Sequence, residues 1–178
     1  MHSNSMRLMG AFAARVPANA SVLDVGSQDV CGCYKSLFPT QEYIGIDVAA
    51  GRNVDIVVEP YDWANLGGRQ FDYIITGQAL EHIEFPWETM KLIAAHLKPG
   101  GRLAVIVPAK WPLHYFPLDC YRFHPDGLSA LGKWAGLRLY EGTISEIDHD
   151  LWDCYAEYIK EDETHTLEMA EEKEAPLP

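Results

Sequence analysis

Two acidic residues open the chemical reading of this chain. Asp24 precedes Val25-Gly26 at the end of one apolar run, and Asp47 closes the next. A carboxylate offers two acceptor oxygens and can take both hydroxyls of a ribose. Asp47 lies 23 residues beyond Asp24, near the roughly 20-residue spacing at which an acid meets a ribose hydroxyl in nucleotide-binding folds. Gly26 lets a ligand approach the backbone, and the amides and helix start expected after it can receive an anionic group. Gly26 by itself suits a plain strand-to-helix turn equally well; its coincidence with Asp47 favours the ligand. The stretch Gly26-Ser27-Gln28-Asp29-Val30-Cys31 lacks Gly-x-Gly-x-x-Gly, which argues against a nicotinamide-dependent oxidoreductase.

These residues need a scaffold, and apolar runs supply one. Ser21–Gly26, Tyr43–Val48, Val54–Val58, Phe71–Ile75 and Arg102–Val107 are apolar on both faces, as interior strands of a parallel sheet are. Between the last two, Trp87, Met90, Leu92, Ile93 and Leu97 recur at helical spacing from Pro86, and Lys98-Pro99-Gly100-Gly101 breaks the helix. Met6, Leu8, Met9, Phe12 and Ala13 mark an earlier amphipathic helix that Pro17 stops. A third helix is expected from a cap near Asp126 to Ala135, with Gly136 as its stop. Extended runs follow at 137–147 and 152–159. Alternation of strand and helix predicts a doubly wound, mostly parallel α/β sheet with helices on both faces. The short link between the second and third runs predicts a reduced crossover there.

Composition bounds the function. The chain has 178 residues, 48% hydrophobic and 22% charged, which is ordinary for one globular domain. We expect that domain over residues 1–160. No apolar stretch approaches the roughly 18 residues that span a bilayer, and the first residues lack the pattern of an export signal. The expected location is cytoplasmic. The four cysteines are too few for a disulfide scaffold, and no second Cys or His pair accompanies Cys31-Gly32-Cys33. Reduced thiols and no metal site are expected. Residues 161–178 hold seven acids and one base, half of the formal charge of −12, and read as an acidic flexible tail. Neither part offers the basic face a nucleic acid requires, so no nucleic-acid or membrane partner is expected.

The ordered motifs resemble a family. Val22-Leu23-Asp24-Val25-Gly26, Tyr43-Ile44-Gly45-Ile46-Asp47, Phe71-Asp72-Tyr73-Ile74-Ile75, Ala79-Leu80-Glu81-His82-Ile83 and Leu97-Lys98-Pro99-Gly100-Gly101-Arg102-Leu103 look like class I S-adenosylmethionine-dependent methyltransferases of the small methyltransferase-domain type. Tyr121–Leu128 and Ala135-Gly136-Leu137 extend the likeness. The resemblance implies S-adenosylmethionine as cofactor, with Asp24, Gly26, Ser27 and Gln28 at its methionine end. It also implies Asp47 at the ribose and Val48 against the adenine. Tyr61, Asp62 and Trp63 would supply a polar contact and an apolar wall to the adenine, Gly77 and Gln78 would lie beside the sulfonium, and His82 at the rim facing the acceptor. Relatives carry glycines where this chain has Gln28 and Val30, so the loop is expected to follow another path.

Methyl transfer from a sulfonium is an in-line displacement that needs alignment above all, and a base only for weak nucleophiles. The segment from Trp111 to His124 is expected to cover the acceptor. It offers His114, His124 and Asp119 as bases, Tyr121 and Arg122 as orienting groups, and Trp111, Tyr115 and Phe116 as walls. For each of these a purely structural role stands beside the catalytic one. The resemblance implies small acceptors such as sugars or secondary metabolites. An alternative is a non-catalytic nucleoside-binding module working through a partner protein, with the acidic tail as its contact segment.

Overall fold

The computed structural model describes residues 2–148 and 151–162. The acidic tail lies almost wholly outside them. Helix α1 (Ser3–Ala13) leads into β1 (Ser21–Val25), β2 (Glu42–Asp47), β3 (Ile56–Val57) and β4 (Phe71–Gly77). Then come α2 (Pro86–His96), β5 (Leu97–Lys110), α3 (Pro125–Trp134), β6 (Arg138–Asp148) and β7 (Leu151–Ile159). The sheet runs β3-β2-β1-β4-β5-β7-β6. Strands β3 through β5 are parallel, and β7 runs antiparallel to both β5 and β6. The chain order reverses between β1 and β4, which places a ligand crevice at the carboxyl ends of those strands.

Both faces are covered. Leu8, Met9, Phe12 and Ala13 bury one stripe of α1 against Val22, Ile75, Ala104 and Ile106. On the other face Met90, Ile93 and Ala94 of α2 and Leu128 of α3 close over Leu23, Ile74, Leu103 and Val105. Burying side chains of this size stabilises by about 1.5–3 kcal/mol each before chain entropy is counted. No helix among the described residues is long and apolar enough to cross a membrane.

Several expectations need correction. No α-helix follows β1; a three-residue 3-10 turn, Lys35–Leu37, stands in its place. Strand β3 keeps only two residues, because Asp55 is drawn into bonds with Gly45: its amide donates to the Gly45 carbonyl at 2.8 Å and its carboxylate accepts the Gly45 amide at 2.8 Å. Lys98–Gly101 lie inside β5 rather than in a turn, held by exchange of bonds between Gly100, Gly101 and Lys160. His124, not Asp126, is the residue before α3, and its side chain makes no capping bond.

Strand β7 carries two buried acids. Glu157 accepts from Arg15 at 2.5 Å, Arg102 at 2.6 Å and Tyr155 at 3.0 Å, so its burial is compensated. Asp153 accepts from Asn4 at 2.8 Å and Gln78 at 3.0 Å. These bonds fasten α1 and the end of β4 to β7.

Candidate functional site

Asp24 pairs with Gly45 in the parallel register of β1 and β2, so Asp24, Tyr43 and Asp47 project from one face. Asp24 is buried and accepts a hydrogen bond from the Tyr43 hydroxyl. Among the described residues no lysine, arginine or histidine pairs with it. Burial pushes its pKa up to about 7; the Tyr43 bond opposes that rise and the neighbouring Asp47 charge adds to it. Asp47 is half-buried, and its two oxygens accept the amides of Gln28 and Ala49, each at 3.2 Å. Val48 beside it is exposed.

The loop after β1 is held by bonds of its own. Gly26 sits at φ 76°, and a Cβ there would stand 2.5 Å from the Ala79 Cβ, so β1 and β4 meet on bare backbone. Beyond it the loop is pinned to residues 50–53. Ser27 Oγ donates to the Asn53 carbonyl at 3.0 Å, and Asn53 Nδ2 returns a bond to the Ser27 carbonyl at 2.9 Å. Arg52 pairs with Asp29 at 2.8 Å. The Gln28 side chain lies over Gly51 and donates to the Ala50 carbonyl at 3.4 Å, while Val30 is exposed.

Gly77 leaves room for the buried Tyr34 ring, whose hydroxyl bonds with Ser5 of α1. Gln78 follows at φ 56° with its amide tied to Asp153. Sequence reasoning passed over Asn4, Ser5, Tyr34 and Asp153. The pattern gave no sign of them, because each acts across more than 25 residues of chain.

Of the segment expected at the adenine, Tyr61 has φ 60° and its hydroxyl accepts the Phe85 amide at 3.2 Å. Asp62 is exposed and accepts the Ala64 amide at 3.0 Å. Trp63 is core: it is buried with its ring 5.7 Å from that of His96. Exposed Phe85 and Trp87 continue an aromatic rim from Tyr61.

The acceptor-side candidates divide. His82 and His114 meet edge to face at 4.8 Å, beside the buried Glu81. Glu81 draws the loop in, since its carbonyl accepts the amides of Cys120 at 2.7 Å and Tyr121 at 3.2 Å. The Glu81 carboxylate, 3.8 Å from His114 Nε2, raises the His114 pKa against the opposing effect of burial. Asp119 is gripped by both terminal nitrogens of Arg122, at 2.5 and 2.8 Å, and by the His114 amide at 2.8 Å. The guanidinium holds that carboxyl far below the usual range, which suits a clamp and disfavours a base. Arg122 also donates to the carbonyls of Trp111 at 3.1 Å and Pro112 at 2.9 Å. Tyr121 donates to the Glu84 carbonyl at 2.8 Å. Asp119, Arg122 and Tyr121 thus shape the loop, whereas His114 and His82 face its interior. His124 stands exposed at the start of α3, apart from them. Trp111 stacks on His2 at 5.1 Å, so the start of α1 forms part of the same wall. Leu113, Tyr115, Phe116 and Leu118 are exposed.

A family model described as a methyltransferase domain matches residues 4–153. No curated protein sequence matches the chain. Among solved structures, the Burkholderia thailandensis 1,6-didemethyltoxoflavin-N1-methyltransferase, with 1,6-didemethyltoxoflavin and S-adenosylhomocysteine bound, is 18% identical. It aligns over 89% of this chain and 79% of its own, with a TM-score of 0.72. A complex between the Haloferax volcanii Trm112 methyltransferase activator and a methyltransferase gives 16% identity, coverage of 89% and 90%, and a TM-score of 0.67. The [4+2]-cyclase SpnF gives 15%, coverage of 88% and 80%, and 0.69.

Proposed function

Since the chain belongs to the methyltransferase-domain family, we propose that it binds S-adenosylmethionine at the carboxyl ends of β1, β2 and β4 and methylates a small acceptor under the 111–124 loop. The observation that carries this reading is the placement of Asp24 and Asp47 on one face, either side of the bare Gly26 turn.

The residues present fit the cofactor. Asp24 is a buried carboxyl with no cation beside it among the described residues, and an α-ammonium supplies that missing charge. Asp47 keeps lone pairs for ribose hydroxyls while holding Gln28 and Ala49 in place. Exposed Val48 and half-buried Tyr61 offer faces to an adenine. The bound cofactor supplies a methyl already activated on a sulfonium, so the protein's task is alignment. His114 in the loop and His82 beside it are the groups able to hold or take a proton from an acceptor, whereas the Arg122–Asp119 clamp fixes the loop that carries His114. The exposed aromatic and aliphatic side chains at 113–118 and at Phe85 and Trp87 favour an acceptor with a flat apolar body and one polar nucleophile, as in secondary metabolites.

Incubation with methyl-labelled S-adenosylmethionine and a panel of aromatic hydroxyl, amine and sugar acceptors tests the activity. Label transfer that falls on Asp47→Ala substitution supports the reading. Cofactor binding without transfer to any acceptor class would favour the nucleoside-binding module.

A further inference from the structure

Glu81 is the least explained charge in the molecule. Its side chain is fully buried, and neither carboxylate oxygen has a hydrogen-bond partner. An isolated buried carboxylate is costly unless a cation neutralises it. Two imidazole nitrogens face it: His82 Nε2 at 3.7 Å and His114 Nε2 at 3.8 Å from Oε1. The three ligand atoms all lie within 4.8 Å of one another. We infer that Glu81, His82 and His114 form a binding site for a divalent transition-metal ion of the zinc type.

The donor chemistry and the orientation agree. Ligands bonded to zinc at about 2.1 Å in a tetrahedral arrangement stand about 3.4 Å apart, close to both distances from Oε1. Two imidazoles and one carboxylate are a donor set for zinc and its neighbours rather than for calcium or magnesium. Each histidine also has the outer partner that metal-bound imidazoles use to fix the ring. His82 Nδ1 lies 2.5 Å from the Leu118 carbonyl, and a proton donated there leaves Nε2 bare toward Glu81. His114 Nδ1 lies 3.3 Å from the Pro112 carbonyl, 3.5 Å from Arg122 Nη2 and 3.7 Å from Asp119; a proton donated to the nearer Pro112 carbonyl leaves its Nε2 bare on the Glu81 side. Three protein ligands leave a coordination position open, and the site sits within the loop assigned above to the acceptor. No zinc pattern is legible in the chain, since His114 lies 33 residues beyond Glu81. The site requires no bound cofactor and stands or falls apart from it; with the ion bound, His82 and His114 serve as ligands in place of the proton-holding role given them above.

The test is cobalt titration of the chelator-treated full-length protein, followed by visible absorption, with zinc as displacing ion. The expected result is one cobalt per chain with four- or five-coordinate d–d absorption, at least tenfold weaker binding in His114→Ala and Glu81→Gln, and no change in a Cys31→Ser/Cys33→Ser/Cys120→Ser variant. His82→Ala, at a partly exposed position, serves if Glu81→Gln fails to fold by circular dichroism. Absence of absorption, or absorption that survives His114→Ala and disappears with the cysteines, overturns the site and leaves a protonated histidine as the neutralising group. S-adenosylhomocysteine binding measured in the presence of chelator separates this outcome from failure of the methyltransferase reading.

Discussion

The Tyr43 hydroxyl donates a hydrogen bond to the buried carboxylate of Asp24 across the β1–β2 pair. It reaches an acid that has no cation beside it among the described residues. That bond does not overcome burial, so the Asp24 pKa stands near 7 against an ordinary carboxyl value of 3.8.

A pH dependence follows. Between the two values the folded chain keeps a proton that the unfolded chain has released, so folding is favoured less as pH rises from about 4 to 7. The loss is on the order of 4 kcal/mol. Urea midpoints at pH 5 and pH 8 should show the decline, and Asp24→Asn should flatten it. A wild-type slope unchanged by that substitution would remove Asp24 as its source.

Gly26→Ala should disrupt both fold and site. The new methyl meets Ala79 at 2.5 Å, in a left-handed backbone conformation that side chains resist. We expect about 1–3 kcal/mol of destabilisation and a weaker grip on the cofactor. Thermal melts with and without S-adenosylhomocysteine measure both.

Glu157 is held by Arg15 and Arg102 within a fully buried environment. Arg102→Ala leaves that carboxylate short of one cation and should cost roughly 3 kcal/mol, read as a lowered urea midpoint. A variant as stable as the parent would mean that Arg15 and Tyr155 suffice.

Arg122→Ala should free the Asp119 end of the loop without touching the cofactor crevice. Affinity for S-adenosylhomocysteine should stay within twofold, while proteolytic cleavage between residues 111 and 123 accelerates. Equal cleavage rates would contradict the clamp.

How much of this was legible depends on where the information lies along the chain. Strand β1, and β5 from Leu103 on, announce themselves because both faces are buried, and β2 and β4 do so through their buried stretches at 45–46 and 74–77. Asp24 and Asp47 are legible for the same reason: a charge ending such a run stands at a strand terminus. The crossover after β1 was not legible, since Ser27 and Asp29 bond with Asn53 and Arg52, partners the local pattern does not reveal. Trp63 reads from the sequence as a wall for the adenine, and its packing against His96, 33 residues on, is what the local pattern does not reveal. Glu81 sits in a readable motif, yet its lack of hydrogen-bond partners appears only when the 111–124 loop folds back over it.

Calorimetric titration of the full-length protein with S-adenosylhomocysteine, run beside Asp47→Ala, tests the central claim most directly. The account predicts one site per chain and at least a tenfold loss of affinity in the variant, roughly the worth of one charge-assisted bond to a ribose hydroxyl. No heat from the parent protein, or equal affinity in the two, would contradict it.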